Sequence, residues 1–405
     1  MSAYLDHAAT SPMPPEVLDA YVDALRVVGN PSSIHGAGQA ARELLETGRE
    51  AVAASIGADP AEIVLTGGGT ESVNLALKGL FWARNAGRAA APGGVSRPRP
   101  RIVVPEAEHH ATIDAAEWLA AHEGAVLDRI PVDGLGRIRL DALASALDAH
   151  ADEIALVTAL WANNEVGTIQ PVHEIAALAA GHGVPLHLDA IAAYGQVPID
   201  VRTLDGLAAL SVAAHKIGGP VGVGALYLAR TATVEPLLHG GAQQRARSGT
   251  QDAAGAAAFG VAAVRATTAI AERATRTAQL RDRLLEGIRA SVPGAILRGD
   301  PDSAGRLPSN AHLTFPGCDG DALLFLLDVA GFAVSTGSAC AAGVSEPSHV
   351  LAAMGVPQDV GRGALRFTLG DETTADDVDA LVAALPAVVA QARSAGLSSQ
   401  QPRRF

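Results

Sequence analysis

Between residues 63 and 188 the sequence alternates short apolar runs with longer stretches of helical spacing, and this alternation restricts the fold more than any other feature. The runs are Ile63-Val64-Leu65, Ile102-Val103-Val104, 125–130, 154–159 and Leu186-His187-Leu188, and helical patterns stand between them at 111–122, 140–150 and 172–181. Short apolar strands joined by helices predict parallel βαβ units in an α/β fold. In open sheets of this kind ligands sit beyond the carboxyl ends of the strands. Polar residues that close strands are therefore the first candidates: Glu108-His109-His110, Asn163-Asn164-Glu165 and Asp189. Asp189 is the most demanding of them, because a carboxylate at the end of an apolar run needs a partner. The two asparagines also suit a turn. His109 and His110 could start a zinc site, but no further ligands stand at recognisable spacing, and no metal is expected.

A second constraint lies at Leu210-Ser211-Val212-Ala213-Ala214-His215-Lys216, where a buried strand runs into a glycine turn. The chain has two lysines, Lys78 and Lys216; every other Lys/Arg position is arginine. A lysine kept at the lip of the core suggests chemistry that arginine cannot do, Schiff-base formation above all, or else a stem that snorkels to the surface. Upstream, the strand at 63–65 passes through Thr66-Gly67-Gly68-Gly69-Thr70-Glu71-Ser72 into a helix. That order either sets backbone N–H groups against a phosphate or lets strand and helix pack closely. No GxxxxGK[ST] is present and the turn is not GxGxxG, which disfavours nucleoside triphosphatases and dinucleotide sites.

The C-terminal third carries a long alanine-rich helical connector (253–292), strands at 312–315, 332–334 and 364–368, and helices at 321–330, 347–354 and 374–393. The expected organisation is an N-terminal segment (1–15) packed with a small domain, a large domain (16–255), the small domain (256–393) and a flexible tail (394–405). Cys318 precedes a helix and reads as incidental, whereas Cys340 stands among small residues that cannot bury it and reads as a reactive thiol. Two cysteines form no disulfide framework and suit a reducing cytoplasm. A net charge of −13 argues against a nucleic-acid surface, and neither a signal peptide nor a membrane-length apolar span is expected.

Taken in order, these pieces resemble the pyridoxal-phosphate-dependent cysteine desulfurases (NifS/IscS type) of the aminotransferase class V superfamily. The matching strings span about residues 4 to 392. They include Tyr4-Leu5-Asp6-His7-Ala8-Ala9-Thr10, Gly29-Asn30-Pro31-Ser32-Ser33, Thr70-Glu71-Ser72, Glu108-His109-His110, Asn163-Asn164-Glu165, His215-Lys216, Arg247-Ser248-Gly249-Thr250, Ser338-Ala339-Cys340 and Arg366-Phe367-Thr368-Leu369-Gly370. The Cys340 segment is similar to the subgroup with a long cysteine loop. The resemblance implies a fold-type-I enzyme in which Lys216 holds pyridoxal 5'-phosphate covalently and shuttles protons, and Asp189 pairs with the ring nitrogen. It further implies that His109 stacks on the ring and moves protons, that Gly69, Thr70 and His215 bind the phosphate, and that Thr250 does so from the partner of a homodimer. Asn164 would contact the ring's phenolic oxygen, and Asn30 with Arg366 would grip the substrate carboxylate. Cys340 would take sulfur from L-cysteine as a persulfide, release alanine and pass the sulfur to an acceptor protein. That acceptor would serve iron–sulfur clusters, tRNA or DNA thiolation, or another sulfur-containing product.

Two positions depart from the family pattern: Ala192 stands where glutamine is usual, and Ala213 where serine is common. Each lost hydrogen bond is worth on the order of 1 kcal/mol, so looser cofactor binding or a retuned lysine is expected. The alternatives are a class V lyase or aminotransferase acting on another amino acid, and a weakly catalytic sulfur-relay paralogue.

Overall fold

The structure is a computed structural model that describes residues 3–85, 98–241, 243–268, 270–337 and 348–399. Residues 86–97, the stretch holding Cys340 and residues 400–405 lie outside the described residues. The chain opens with β1 (Ala3–Tyr4), α1 (Pro15–Leu25) and α2 (Gly36–Ser55). The α/β succession follows as β2 (Ile63–Thr66), α3 (Gly69–Asn85), β3 (Arg101–Pro105), α4 (His110–Glu123), β4 (Val126–Ile130) and α5 (Leu140–His150). It continues through β5 (Ile154–Leu160), α6 (Val172–Gly181), β6 (Leu186–Asp189), β7 (Leu207–Ala213) and β8 (Gly224–Leu228).

Strands β2 to β8 form one seven-stranded sheet in the order β2-β8-β7-β6-β5-β3-β4. Only β8 runs against its neighbours, β2 and β7; the other pairs are parallel. Every residue of β5, β6, β7 and β8 is buried, which is why these segments read as continuous apolar runs. Three polar residues inside the sheet satisfy one another. Thr158 Oγ1 meets His187 Nδ1 at 2.9 Å, and His187 Nε2 meets Ser211 Oγ at 2.9 Å. Burial holds His187 at a pKa of about 3, so the ring in this relay is neutral.

The alanine-rich connector is two helices, α7 (Ala253–Thr267) and α8 (Ile270–Ser291), set at 71° to each other. Although expected to begin the small domain, α7 adds Ala256, Phe259, Ala262 and Ala263 to the core of the large one. Glycine makes the contact possible: a Cβ at Gly48 of α2 would meet the Ala256 carbonyl oxygen at 2.2 Å. Beyond α8 stand β9 (Ile296–Arg298), β10 (Asn310–Thr314), α9 (Gly320–Val329), β11 (Phe332–Ala333), α10 (His349–Ala353), α11 (Gln358–Gly361), β12 (Ala364–Thr368) and α12 (Ala375–Ser399). The last helix continues through Pro386 and past the expected stop at 393, into the stretch expected to be a tail. An antiparallel sheet β12-β10-β9 packs on Leu284, Phe315, Leu323, Phe367 and Leu381 as a second core. β1 pairs in parallel with β11, and Leu5 sits in this second core, so the N-terminal segment packs with the small domain. Among the described residues no single helix is long and apolar enough to cross a membrane.

Candidate active site

The carboxyl ends of β3, β5, β6 and β7 converge on a cavity of about 270 Å³ lined by Glu108, His109, Asn164, Asp189, Lys216 and Arg366, among others. Lys216 comes to it because β7 ends in a single 3₁₀ turn, Ala214–Ile217, closed by Gly218 at φ 80°. Only glycine adopts that dihedral without cost, and a Cβ there would also meet Pro14 Cδ at 2.7 Å. The lysine Nζ donates to the Ala8 carbonyl and, at 3.0 Å, to that of Ala9. Burial, with the Arg366 guanidinium adding to it, brings its pKa down to about 8, against the pull of Asp189 and Asp6.

Asp189, the last residue of β6, accepts from the Ile191 N–H at 2.9 Å. Burial lifts its pKa to about 6, while that N–H and Lys216 hold it lower. His109 is the N-cap of α4, and its Nδ1 accepts from the Ala111 N–H at 3.1 Å, which leaves the proton of the neutral ring on Nε2. Its surroundings desolvate it, and Lys216, His110 and His349 repel a further charge, so its pKa falls to about 4. Asn163 builds the loop that carries Asn164: its Oδ1 takes the Glu165 and Val166 N–H groups at 2.9 Å each, and its Nδ2 donates to Ala107. Arg366, on β12 and 5% exposed, donates from Nη1 to the Asn164 carbonyl at 2.9 Å and from Nη2 to Asp6 at 2.8 Å. Its Nε has no partner among the described residues.

The other expected residues lie around this cavity or away from it. Gly69 begins α3 and abuts one departure from pattern, Ala213, and the residue before the other: a Cβ there would meet Ile191 Cδ1 at 2.3 Å and Ala213 Cβ at 3.5 Å. The first-turn N–H groups, those of Gly69 and Thr70 included, have no acceptor within the helix. His215 sits beside Lys216 with Nδ1 3.4 Å from Thr10 Oγ1, and burial together with Lys216 lowers its pKa to about 4. Ala192 lines the cavity, and the next glutamine, Gln196, is turned away to bond Ser309. Asn30 is not brought to the cavity; its Oδ1 accepts from the Ser32 N–H at 2.9 Å in an exposed turn. Thr250 lies exposed on the loop after β8 and also stands apart. Cys340 is outside the described residues.

Asp6, Ala8, Ala9, His349 and Ser348 contribute without having been given a role beforehand. Asp6 is the counter-ion of Arg366, and the carbonyls of Ala8 and Ala9 hold the lysine. His349 donates through Nε2 to the Glu108 carbonyl at 2.7 Å, and Ser348 bonds Glu165 at 2.5 Å. Glu108 is 1% exposed. Asp6 stood inside a quoted motif string, and Glu108 stood among the strand-closing candidates, each without a role of its own.

This sheet, with a lysine, an acid and an imidazole at its carboxyl edge, is the arrangement of one class of cofactor enzyme. The Aminotransferase class-V family profile matches residues 3–381, and the chain belongs to that pyridoxal-phosphate-dependent family, among its cysteine desulfurases. It is 50% identical over 398 residues to the IscS-like cysteine desulfurase of Mycobacterium tuberculosis, covering 98% of each chain. It is 39% identical to the cysteine desulfurase NifS of Azotobacter vinelandii, over 96% of this chain and 93% of that one. The solved structure of a NifS-like protein superposes with a TM-score of 0.86 at 32% identity, over 96% of this chain and 100% of the other.

The residues present fit pyridoxal phosphate. A buried carboxyl at Asp189 calls for a protonated ring nitrogen, a poorly solvated amine at Lys216 suits covalent attachment, and the start of α3 offers N–H groups to a phosphate. Among the described residues no group of three or more metal-type ligands is present.

Proposed function

We propose that this enzyme takes sulfur from L-cysteine onto Cys340, releases L-alanine, and hands the persulfide sulfur to an acceptor protein. One observation carries the reading: Lys216, Asp189, His109 and Arg366 face a single cavity. Bound pyridoxal phosphate supplies the electron sink that loosens the bonds at the substrate's α and β carbons. Lys216 anchors it, and its low proton affinity leaves the amine able to take and return a proton. Asp189 holds the ring nitrogen protonated. His109, with its proton on Nε2, faces the cavity where it would lie against the bound cofactor and move a proton. Arg366 keeps Nε–H free for the substrate carboxylate while Asp6 and the Asn164 carbonyl fix its plane. The Cys340 thiolate attacks the substrate sulfur: the S–S bond forms, the carbon–sulfur bond breaks, and the carbon keeps the electron pair and takes a proton.

Gly69, Thr70 and His215 are proposed as the phosphate cradle. Neither Thr250 nor Asn30 reaches the cavity of its own chain, which supports a homodimer in which Thr250 completes the partner's cradle. Asn30 is proposed to join Arg366 on the substrate carboxylate, and the cytoplasm is the proposed setting. The test is to supply L-cysteine and a thiol reductant and to follow alanine and sulfide together. Equal release, lost in both Lys216→Ala and Cys340→Ala, is the expected result; alanine or pyruvate formed without Cys340 would overturn it.

A further inference from the structure

We propose that Glu108 is a positioning residue held as a neutral carboxylic acid, and that by keeping its proton it reserves the cavity's carboxylate charge for Asp189. The inference rests on the proposed role of Asp189 but makes a separate claim about Glu108.

Glu108 follows β3 by three residues and turns its carboxyl inward. Its Oε1 accepts from the Leu160 N–H at 2.7 Å, and Leu160 stands directly opposite Asp189 in the register of β5 and β6. The second oxygen, Oε2, is buried and makes no well-formed hydrogen bond among the described residues; the buried Thr112 hydroxyl beside it favours the ionised form. An ionised carboxylate with one oxygen stripped of water and left to a single poorly placed hydroxyl is costly. A carboxylic acid is not: its O–H becomes the donor, and the threonine oxygen is available to accept.

The surroundings decide which of the two acids ionises. Asp189 has the Ile191 N–H and the Lys216 amine in its favour. Glu108 has the Leu160 N–H and the Thr112 hydroxyl, but burial outweighs both and Asp189 adds repulsion, and the pKa rises to about 8. Two buried carboxyls that repel each other in one cavity do not both readily lose a proton at neutral pH. The remaining titratable groups facing it do not reverse this. His109 is neutral, Glu165 is itself acidic and bound to Ser348, and Arg366 is taken up by Asp6. His349 reaches only Glu108's carbonyl. With Glu108 protonated, the field on the ring nitrogen comes from Asp189 alone. Once Glu108 ionises, a second negative charge raises the proton affinity of the lysine nitrogen and of the ring.

Glu108→Gln tests this, because an amide keeps the Leu160 contact and places N–H where the acid has O–H. We expect the visible absorption of the bound cofactor to match wild type below about pH 7 and to diverge only above about pH 8, as the wild-type acid titrates. The cofactor-free protein gives a readout independent of catalysis: a protonated-carboxyl stretch in its infrared spectrum at pH 7 that Glu108→Gln removes. Spectra that already differ at pH 6, spectra that coincide at all pH, or no such stretch would each overturn the proposal. Failure of the Cys340 assay with the stretch intact would instead count against the sulfur-transfer reading alone.

Discussion

Lys216 depends on neighbours that lie far from it in sequence. Its amine is held by two backbone carbonyls, and desolvation brings its pKa down to about 8. Covalent loading of cofactor-free protein requires the unprotonated amine, so its rate should climb about tenfold from pH 6 to 7, then bend near pH 8 and level off. Stopped-flow absorbance of the lysine–cofactor link reads this directly, and a rate still climbing at pH 10 would contradict it. Ala192 gives a second prediction at this scale. It lines the cavity where a side-chain donor is absent, so Ala192→Gln should tighten cofactor binding by about 1 kcal/mol, roughly fivefold, measured by equilibrium release. Lys216 and Asp189 stood out in the sequence because each breaks a local rule of burial, whereas His109 took its proposed role from the resemblance alone. Asp6 was not: its bond to Arg366 spans 360 residues, and no local pattern records such a distance. The protonation of Glu108 was equally hidden, since it follows from which groups surround the carboxyl in three dimensions.

At the scale of elements, the turn between β2 and α3 shows how packing and binding share one glycine. A Cβ at Gly69 would press within 2.3 Å of Ile191 Cδ1, so Gly69→Ala must displace either the helix start or the segment after Asp189. The expected cost is about 1–3 kcal/mol in stability together with a weaker hold on the phosphate. Ile191→Ala in the same chain should recover most of the loss, and a double-mutant cycle by thermal unfolding and cofactor affinity measures the coupling. Equal losses in the single and double variants would show that the two residues do not share the site. The glycine run was visible in the sequence, but its partner was not, because Ile191 belongs to a different strand's exit loop. The allegiance of α7 was unreadable for a related reason. Its alanines and glycines favour helix and fit any close interface, and only the matching glycine on α2 fixes which core receives it.

For the whole molecule, a cluster at Asp371 ties the two domains at the bend between α7 and α8. The carboxylate meets Arg265 of α7 at 2.7 Å and Arg273 of α8 at 3.0 Å, and Arg276 donates to its backbone carbonyl. Burial alone would raise the pKa of Asp371, but Arg273 and Arg265 outweigh it, and the net shift is downward. A depressed carboxyl contributes stability that is present above its unfolded pKa, about 3.9, and is lost as pH falls through the folded value. Asp371→Asn should therefore lower the unfolding free energy at pH 7 by on the order of 1–2 kcal/mol and erase part of the acid-side decline below about pH 4. Denaturant titrations at pH 7 and pH 3.5 would show the gap between variant and wild type narrowing; a constant gap would count against the assignment.

The bond between Asp6 and Arg366 also has a consequence in time. A ribosome adds about 5–20 residues each second, and 360 positions separate these two side chains. The first residues to emerge therefore wait roughly 20–70 s before β11 and β12 exist to receive them. Until then Ala8 and Ala9 have no fixed position from which to hold Lys216. The pocket is assembled last, however early the sheet beneath it forms, and nascent chains stalled before Ala364 should fold a large domain yet take up no cofactor colour.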